Sequence, residues 1–238
     1  MTQHDDFIGP TTDFWQALLP AATPDAGPPY RYGYPARLPD GRVLMLPLRR
    51  SPASPDQAVA SFIANHAAFE VVDALCEHMA ALAREHQPEV IVGLPTLGLA
   101  FAPMVAQRLG FSNFVPLGYS RKYWYDEDLA VPVRSITTPG GGKLLYADPH
   151  VLPRLAGRRA VVIDDAISSG QTCAAALTLA RRVGAEVPAV VVAMVQGQRW
   201  RAHLAEAAPE WAGAVRGVFY SPRFGRVPGG WQPESPGV

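Results

Sequence analysis

The sequence predicts an α/β fold, a mostly parallel sheet flanked by helices. Three observations predict it. Short apolar runs rich in β-branched residues at 90–92, 114–117, 159–163 and 187–195 have the length and composition of buried strands. Stretches with helical spacing follow the runs at 90–92 and 159–163. Gly110 and Gly184 stand where the intervening helices would end, in the left-handed position that glycine tolerates. Strand, turn and helix repeated in this order build a parallel sheet with helices on its faces.

The elements follow in order. Pro20, Pro24, Pro28, Pro29, Pro35 and Pro39 make 20–39 an expected irregular stretch. Pro39-Asp40-Gly41-Arg42 reads as a hairpin turn, because Asp-Gly supplies the positive φ angles of a tight loop, and 43–48 is then its second strand. Ser54-Pro55-Asp56-Gln57 reads as a helix start, with Ser54 as cap and Pro55 at the first helical position. Val59, Phe62, Ile63, Phe69, Val72, Leu75, Met79 and Leu82 continue at helical spacing, as one long helix or two broken near Asn65-His66. After the strand at 90–92 come a turn at 93–96 and a helix over 98–109. The strand at 114–117 leads into 118–142, which lacks periodicity and holds a glycine triplet at 140–142. The strand at 159–163 precedes a helix over 170–183, and 187–195 is the last strand of the alternation. Pro222, Pro228, Pro233 and Pro236 predict an irregular 222–236, with the last dozen residues loose.

At 238 residues the chain fits one large domain, or one with an appendage. Apolar residues make up 48% and charged residues 18%, the balance of an ordinary globule. Lys plus Arg and Asp plus Glu are 21 each, so no overall field attracts nucleic acid or an anionic membrane. Cys76 and Cys173 have no metal-ligand spacing and read as reduced thiols, which predicts a cytoplasmic protein. No signal peptide is evident at the N-terminus. The apolar run at 187–195 falls far short of the roughly 20 residues needed to span a bilayer.

In open α/β sheets ligands gather outside the carboxyl ends of the strands, which singles out 93–98, 118–128 and 164–172. In the last of these a strand delivers Asp164 and Asp165 together. Paired carboxylates there can accept hydrogen bonds from vicinal hydroxyls or anchor a hydrated divalent metal. Ser168, Ser169, Gly170, Gln171 and Thr172 follow, with small side chains, hydroxyls, free amides and a helix N-terminus. That combination cradles a phosphate monoester. Hydroxyl-binding acids beside a phosphate cradle describe a site for ribose 5-phosphate. A bare Asp-Asp or Ser-Ser-Gly would read as a solvated corner; the ordered string is far more specific.

The string 161–172 resembles the phosphoribosyl diphosphate (PRPP) motif of type I phosphoribosyltransferases, with Ala166 where a larger aliphatic is more usual. The likeness extends more loosely over 90–195 in the order of its parts. It implies that Asp164 and Asp165 bind the ribose hydroxyls of PRPP and meet Mg²⁺ indirectly, through substrate or water, and that 168–172 holds the 5′-phosphate. By the same resemblance Leu94, Pro95, Thr96, Leu97 and Gly98 hold the pyrophosphate, often through a cis peptide in this family; alone, a glycine-flanked turn is common punctuation. Gly118-Tyr119-Ser120-Arg121-Lys122 resembles the start of the loop that closes over the reaction. Arg121 and Lys122 would stabilise the leaving pyrophosphate, and Glu127 would assist proton removal from the base. The Gly140-Gly141-Gly142-Lys143 run lacks Walker spacing and reads as a hinge of this loop.

The family carries an Asp three residues beyond the second acid in 6-oxopurine members and a small residue in adenine-type members. Ser168 therefore favours an adenine-like acceptor. The resemblance also implies an N-terminal hood that recognises the base. This gives a hood and helix at 1–70, not independent, a core at 71–200, and a partly irregular extension at 201–238. The implied partners are PRPP and a nucleobase, in a homodimer, with no nucleic acid or membrane. Other acceptors such as xanthine or orotate remain open, as does a non-catalytic sensor of PRPP or nucleotide. The Pro-rich 1–53 and the neutral charge give no DNA-binding footprint for such a sensor. Tyr30, Tyr32 and Tyr34 can stack on a base, though such a stripe is more often packing.

Overall fold

The computed structural model describes residues 14–52, 54–133 and 143–234. Three strands come first: β1 (Gly33–Arg37), β2 (Val43–Ser51) and β3 (Ser54–Ala60). Then α1 (Phe69–Arg84), β4 (Val90–Gly93), α2 (Ala102–Arg108) and β5 (Val115–Gly118) begin the alternating part. It continues through β6 (Ala130–Val133), β7 (Lys143–Ala147), β8 (Arg159–Ile167), α3 (Gln171–Arg182), β9 (Glu186–Gln196), α4 (Arg199–Ala207) and β10 (Val215–Ser221). A terminal hairpin, β11 (Arg223–Val227) and β12 (Gly230–Pro233), ends the described chain.

The larger sheet has the order β10-β9-β8-β4-β5-β7-β6. Its strands are parallel from β10 to β5, and β7 and β6 add an antiparallel edge. Helices cover both faces, so the central strands are apolar almost throughout. On one face Leu75 and Met79 of α1 and Val105 of α2 pack on Ile91, Val161, Ile163 and Val191. On the other, Ala176 and Leu179 of α3 and Trp200 and Leu204 of α4 pack on Val92, Val162, Val190 and Val192. The α/β expectation holds. No helix among the described residues is long and apolar enough to cross a membrane.

The segment 54–57 is a strand rather than a helix start. β3 pairs with β2, which immediately precedes it, on one side and with β11 on the other, and β11 lies outside any local reading. Pro55 falls where the β2–β3 register shifts at Arg50/Ser51, a break in the ladder that tolerates a residue without an N–H. Ser54 does accept a hydrogen bond, from the Asp56 amide at 3.3 Å, as a local turn and not as a helix cap. The helical spacing is real only from Phe69; a short 3-10 turn over Ala64–His66 precedes it.

The expectation of irregular chain is also corrected for most of 222–236 and, within 20–39, at Gly33–Arg37 only; the remainder of 20–39 is turns and irregular chain with one bridge at Tyr30. Pro35 sits in β1, an edge strand of the second sheet, and β11 and β12 occupy most of 222–236. This second sheet, a hood over the first, has the order β1-β2-β3-β11-β12, antiparallel throughout. Tyr30, just before β1, exchanges two backbone hydrogen bonds with Trp231 of β12, at 2.9 and 2.7 Å, and so bridges the two edges. Tyr30, Tyr34 and Phe224 meet edge to face inside it, which gives Tyr30 and Tyr34 packing partners. The Asp40-Gly41 hairpin turn is present between β1 and β2, with Gly41 at φ 86°. The glycine triplet at 140–142 lies outside the described residues.

Candidate functional site

β8 carries the site because it lies between β4 and β9, at the centre of the parallel strands. Its carboxyl end delivers Asp164 and Asp165. Asp164 is only 9% exposed, and its Oδ1 accepts the Asp165 amide at 2.9 Å. Burial, and then the neighbouring Asp165 carboxylate, push Asp164 well above the usual carboxylate range. Burial also raises Asp165. Two adjacent carboxyls in a dry place resist being charged together, and a bound cation or hydroxyl donors relieve that repulsion.

The 94–98 turn lies directly on these acids. The Leu94 amide donates to the Ile163 carbonyl at 3.0 Å, stapling the turn to β8 one residue before Asp164. Leu94 and Pro95 are buried, Thr96 is exposed, Leu97 is half-buried, and the Pro95–Thr96 peptide is cis. Gly98 is buried against Asp164. A Cβ there would stand 2.7 Å from Asp164 Oδ1 and 2.8 Å from its Cα, so only glycine permits the approach.

Beyond β8, Ser168 and Ser169 are exposed, and Gly170, at φ 81°, turns the chain into α3. The Gln171 amide reaches the Ser169 hydroxyl at 3.5 Å. The amides of the first turn of α3 have no partners within the helix and are free for an anion. Trp200 is buried behind Gly170 and fixes the corner from below, its Nε1 donating to the Gly197 carbonyl at 3.1 Å.

The third segment is placed differently. Arg121 pairs with Glu127 at 3.1 Å, and the two side chains are 51% and 80% exposed. Lys122 is exposed, and its carbonyl accepts the Tyr125 amide at 3.0 Å. Trp124 Nε1 donates to Asp148 at 3.2 Å, while the Tyr123 ring stands 95% exposed. The structure thus brings together 94–98 and Asp164–Asp165, with 168–172 following on the same strand end. Arg121, Lys122 and Glu127 stay on the exposed loop.

Mg²⁺ fits these residues in one way only. Among the described residues no group of three or more His, Cys, Asp or Glu could hold a metal ion. The Asp164–Asp165 pair offers two carboxylates, which suits an ion that keeps most of its shell as water and substrate oxygens. Cys76 and Cys173 are both buried as free thiols, apart from any such cluster.

Three residues escaped the sequence reading. The Tyr119 hydroxyl lies 3.2 Å from Thr172 Oγ1, joining the root of the exposed loop to the phosphate segment. Its partner is 53 positions away, and nothing in the sequence linked them. Gln196 ends β9 beside this corner and donates from Nε2 to the Ala60 carbonyl at 2.8 Å, tying the hood to the core. Its signal was available: it is the first polar residue after the apolar run, at the carboxyl end of a strand. The Ser61 hydroxyl is buried with no hydrogen-bond partner, where β3 leaves the hood for the 64–66 turn.

Residues 61–218 match the family model described as the phosphoribosyl transferase domain. Among curated proteins the chain is similar to an adenine phosphoribosyltransferase from Acidiphilium cryptum, 34% identical over 116 residues, covering 47% of this chain and 61% of that protein. It is also similar to adenine phosphoribosyltransferase 3 of Arabidopsis thaliana, 34% identical over 109 residues, covering 44% of this chain and 53% of that protein. The chain thus spans a little over half the length of these relatives. Among solved structures, the APRTase of Giardia lamblia complexed with 9-deazaadenine aligns with a TM-score of 0.52 at 18% identity, covering 63% of this chain and 80% of that one. The enzyme of Leishmania tarentolae aligns with a TM-score of 0.51 at 22% identity, covering 64% and 72%. Identities this low speak for a shared fold alone, whereas the family model covers well over half of the chain. The chain belongs to the phosphoribosyltransferase domain family.

Proposed function

We propose that this chain transfers the 5-phosphoribosyl group of PRPP to a ring nitrogen of a nucleobase, adenine favoured, and releases pyrophosphate. The observation that carries the reading is the closure of Gly98 onto Asp164, on the strand that runs on into the α3 corner. One substrate with a pyrophosphate at C1, two ring hydroxyls and a 5′-phosphate matches these parts in that order. The curated relatives named above are adenine phosphoribosyltransferases, which supports the acceptor.

In this reading Asp164 and Asp165 accept hydrogen bonds from the ribose hydroxyls. The 168–172 amides and hydroxyls hold the 5′-phosphate, and the 94–98 turn holds the pyrophosphate. The bond from C1 to the pyrophosphate oxygen breaks, and its electron pair leaves with that oxygen. The base nitrogen bonds to C1 from the opposite face, and its proton passes to Glu127 or to water. Asp164 and Asp165 would hold hydrated Mg²⁺ through water or substrate, and it would supply charge neutralisation for the leaving group. Arg121 leaves Glu127 as the loop closes, and with Lys122 it meets the charge growing on the leaving group. Fixed geometry and charge stabilisation carry the rate, without a covalent enzyme intermediate. The acceptor lies under the hood, where the unpaired Ser61 hydroxyl and Gln196 mark the junction with the core.

The test is pyrophosphate release from PRPP and Mg²⁺ with adenine, hypoxanthine, guanine, xanthine and orotate in turn. Adenine should give the highest kcat/KM. Tight PRPP binding without release for any base would replace the enzyme by a sensor.

A further inference from the structure

The proposed site leaves unexplained a polar contact at the root of the 118–128 loop. Tyr119 is half-buried at the carboxyl end of β5, two strands from β8. Its hydroxyl lies 3.2 Å from Thr172 Oγ1, in the first turn of α3. The Lys143 ammonium stands 5.1 Å from the centre of the Tyr119 ring, the geometry of a cation on an aromatic face. Lys143 opens β7, the strand by which the chain returns after the loop. One phenol therefore touches both ends of the excursion between β5 and β7 and the phosphate corner of α3.

We propose that Tyr119 is a positioning residue for the substrate phosphate, holding the Thr172 hydroxyl so that its single proton points to a phosphate oxygen. This rests on the functional reading above. A threonine hydroxyl has one proton to give and two lone pairs to accept with. When that proton goes to a phosphate oxygen, the oxygen of Thr172 needs a donor behind it. The Tyr119 hydroxyl is at the right distance to be that donor. The phenol stays protonated for the task, because burial and the negative charge of Asp164 and Asp165 raise its pKa and outweigh the hydrogen bond to Thr172. Without the phenol, the threonine hydroxyl is free to turn away, and each binding event must first orient it. Lys143 keeps the ring in place from the returning strand, so the corner and the loop root move as one.

The experiment compares wild type, Tyr119→Phe, Thr172→Val and the double variant. Calorimetry with Mg²⁺ present measures binding of PRPP, of ribose 5-phosphate and of inorganic pyrophosphate, and steady-state assays give kcat and KM. Tyr119→Phe should weaken PRPP and ribose 5-phosphate about tenfold, leave pyrophosphate binding unchanged, and raise the KM for PRPP far more than it lowers kcat. The double variant should be no weaker than Thr172→Val alone, because the two side chains act as one unit. A general loosening of the fold would weaken pyrophosphate as well, and that outcome overturns the proposal. So does multiplication of the two single effects in the double variant, or unchanged ribose 5-phosphate affinity in Tyr119→Phe. If wild type itself binds no PRPP, the functional reading falls and takes the proposal with it. If wild type binds and Tyr119→Phe binds equally well, only the role of Tyr119 is lost.

Discussion

Asp164 is a carboxyl kept where water is scarce and beside a second carboxyl, an arrangement that works against the folded state and that the proposed function explains by binding. The sign of its pH effect follows. Its pKa is higher folded than unfolded, so between the ordinary carboxylate value and the raised one the folded chain holds more protons. Stability is greatest on the acid side of that window and falls as pH rises through it. The proposed substrate calls for the opposite, ionised acids. Asp164→Asn should therefore raise the melting temperature by a few degrees at neutral pH, of order 1 kcal/mol, and flatten its pH dependence. The same variant should lose PRPP binding at least a hundredfold. A melting temperature that drops with binding intact would contradict both halves. The acids and the serines after them were legible in the sequence because each residue type carries its chemistry openly. Tyr119 and Ser61 were not, because their meaning lies in partners, or in the lack of one, that only the fold reveals.

At the scale of elements, β8 and α3 form a rigid corner backed by Trp200, whereas the 118–128 loop presents its charges to solvent. The exposed Arg121–Glu127 pair is worth little to stability, so it can exchange for a ligand at small cost. Arg121→Ala should lower kcat about a hundredfold while the affinity of the resting protein for PRPP changes less than threefold. Stopped-flow turnover alongside calorimetry separates the two, and equal losses in both would place Arg121 in the ground-state site instead. Elements with continuous apolar runs, β4, β8 and β9, were readable because burial on both faces writes itself into composition. β3 was misread as a helix start because Ser-Pro-Asp-Gln is a true local turn signal, and the ladder that overrules it comes from the adjacent β2 and from β11, which lies well over a hundred positions away.

For the whole molecule, the hood is assembled from both ends of the described chain. Trp231 is fully buried in it, and Arg223 Nη2 donates to Gln57 Oε1 at 2.6 Å across 166 positions. Trp231→Ala should cost about 3–5 kcal/mol, the range for truncating a large buried ring, read as a lower denaturation midpoint. The loss of acceptor binding should exceed the loss of PRPP binding, since the ring belongs to the hood. Proline counts pointed to loose ends at 20–39 and 222–236. Within them β1 pairs with β2, β11 and β12 pair with each other, and β11 pairs with β3; that last pairing and the Tyr30–Trp231 bridge join distant segments and leave no local trace.

The Tyr30–Trp231 seam has a further consequence for how the protein is made. β1 to β3 leave the ribosome about 160 residues before β11, a wait of roughly ten to thirty seconds at about 5–20 residues per second. Throughout it the nascent hood is a three-stranded fragment with two open edges, while the alternating core can already form behind it. β11 then caps β3, and β12 joins Tyr30 through Trp231. If the hood takes the base, as the proposed function has it, acceptor recognition is complete only once β11 and β12 have emerged and paired.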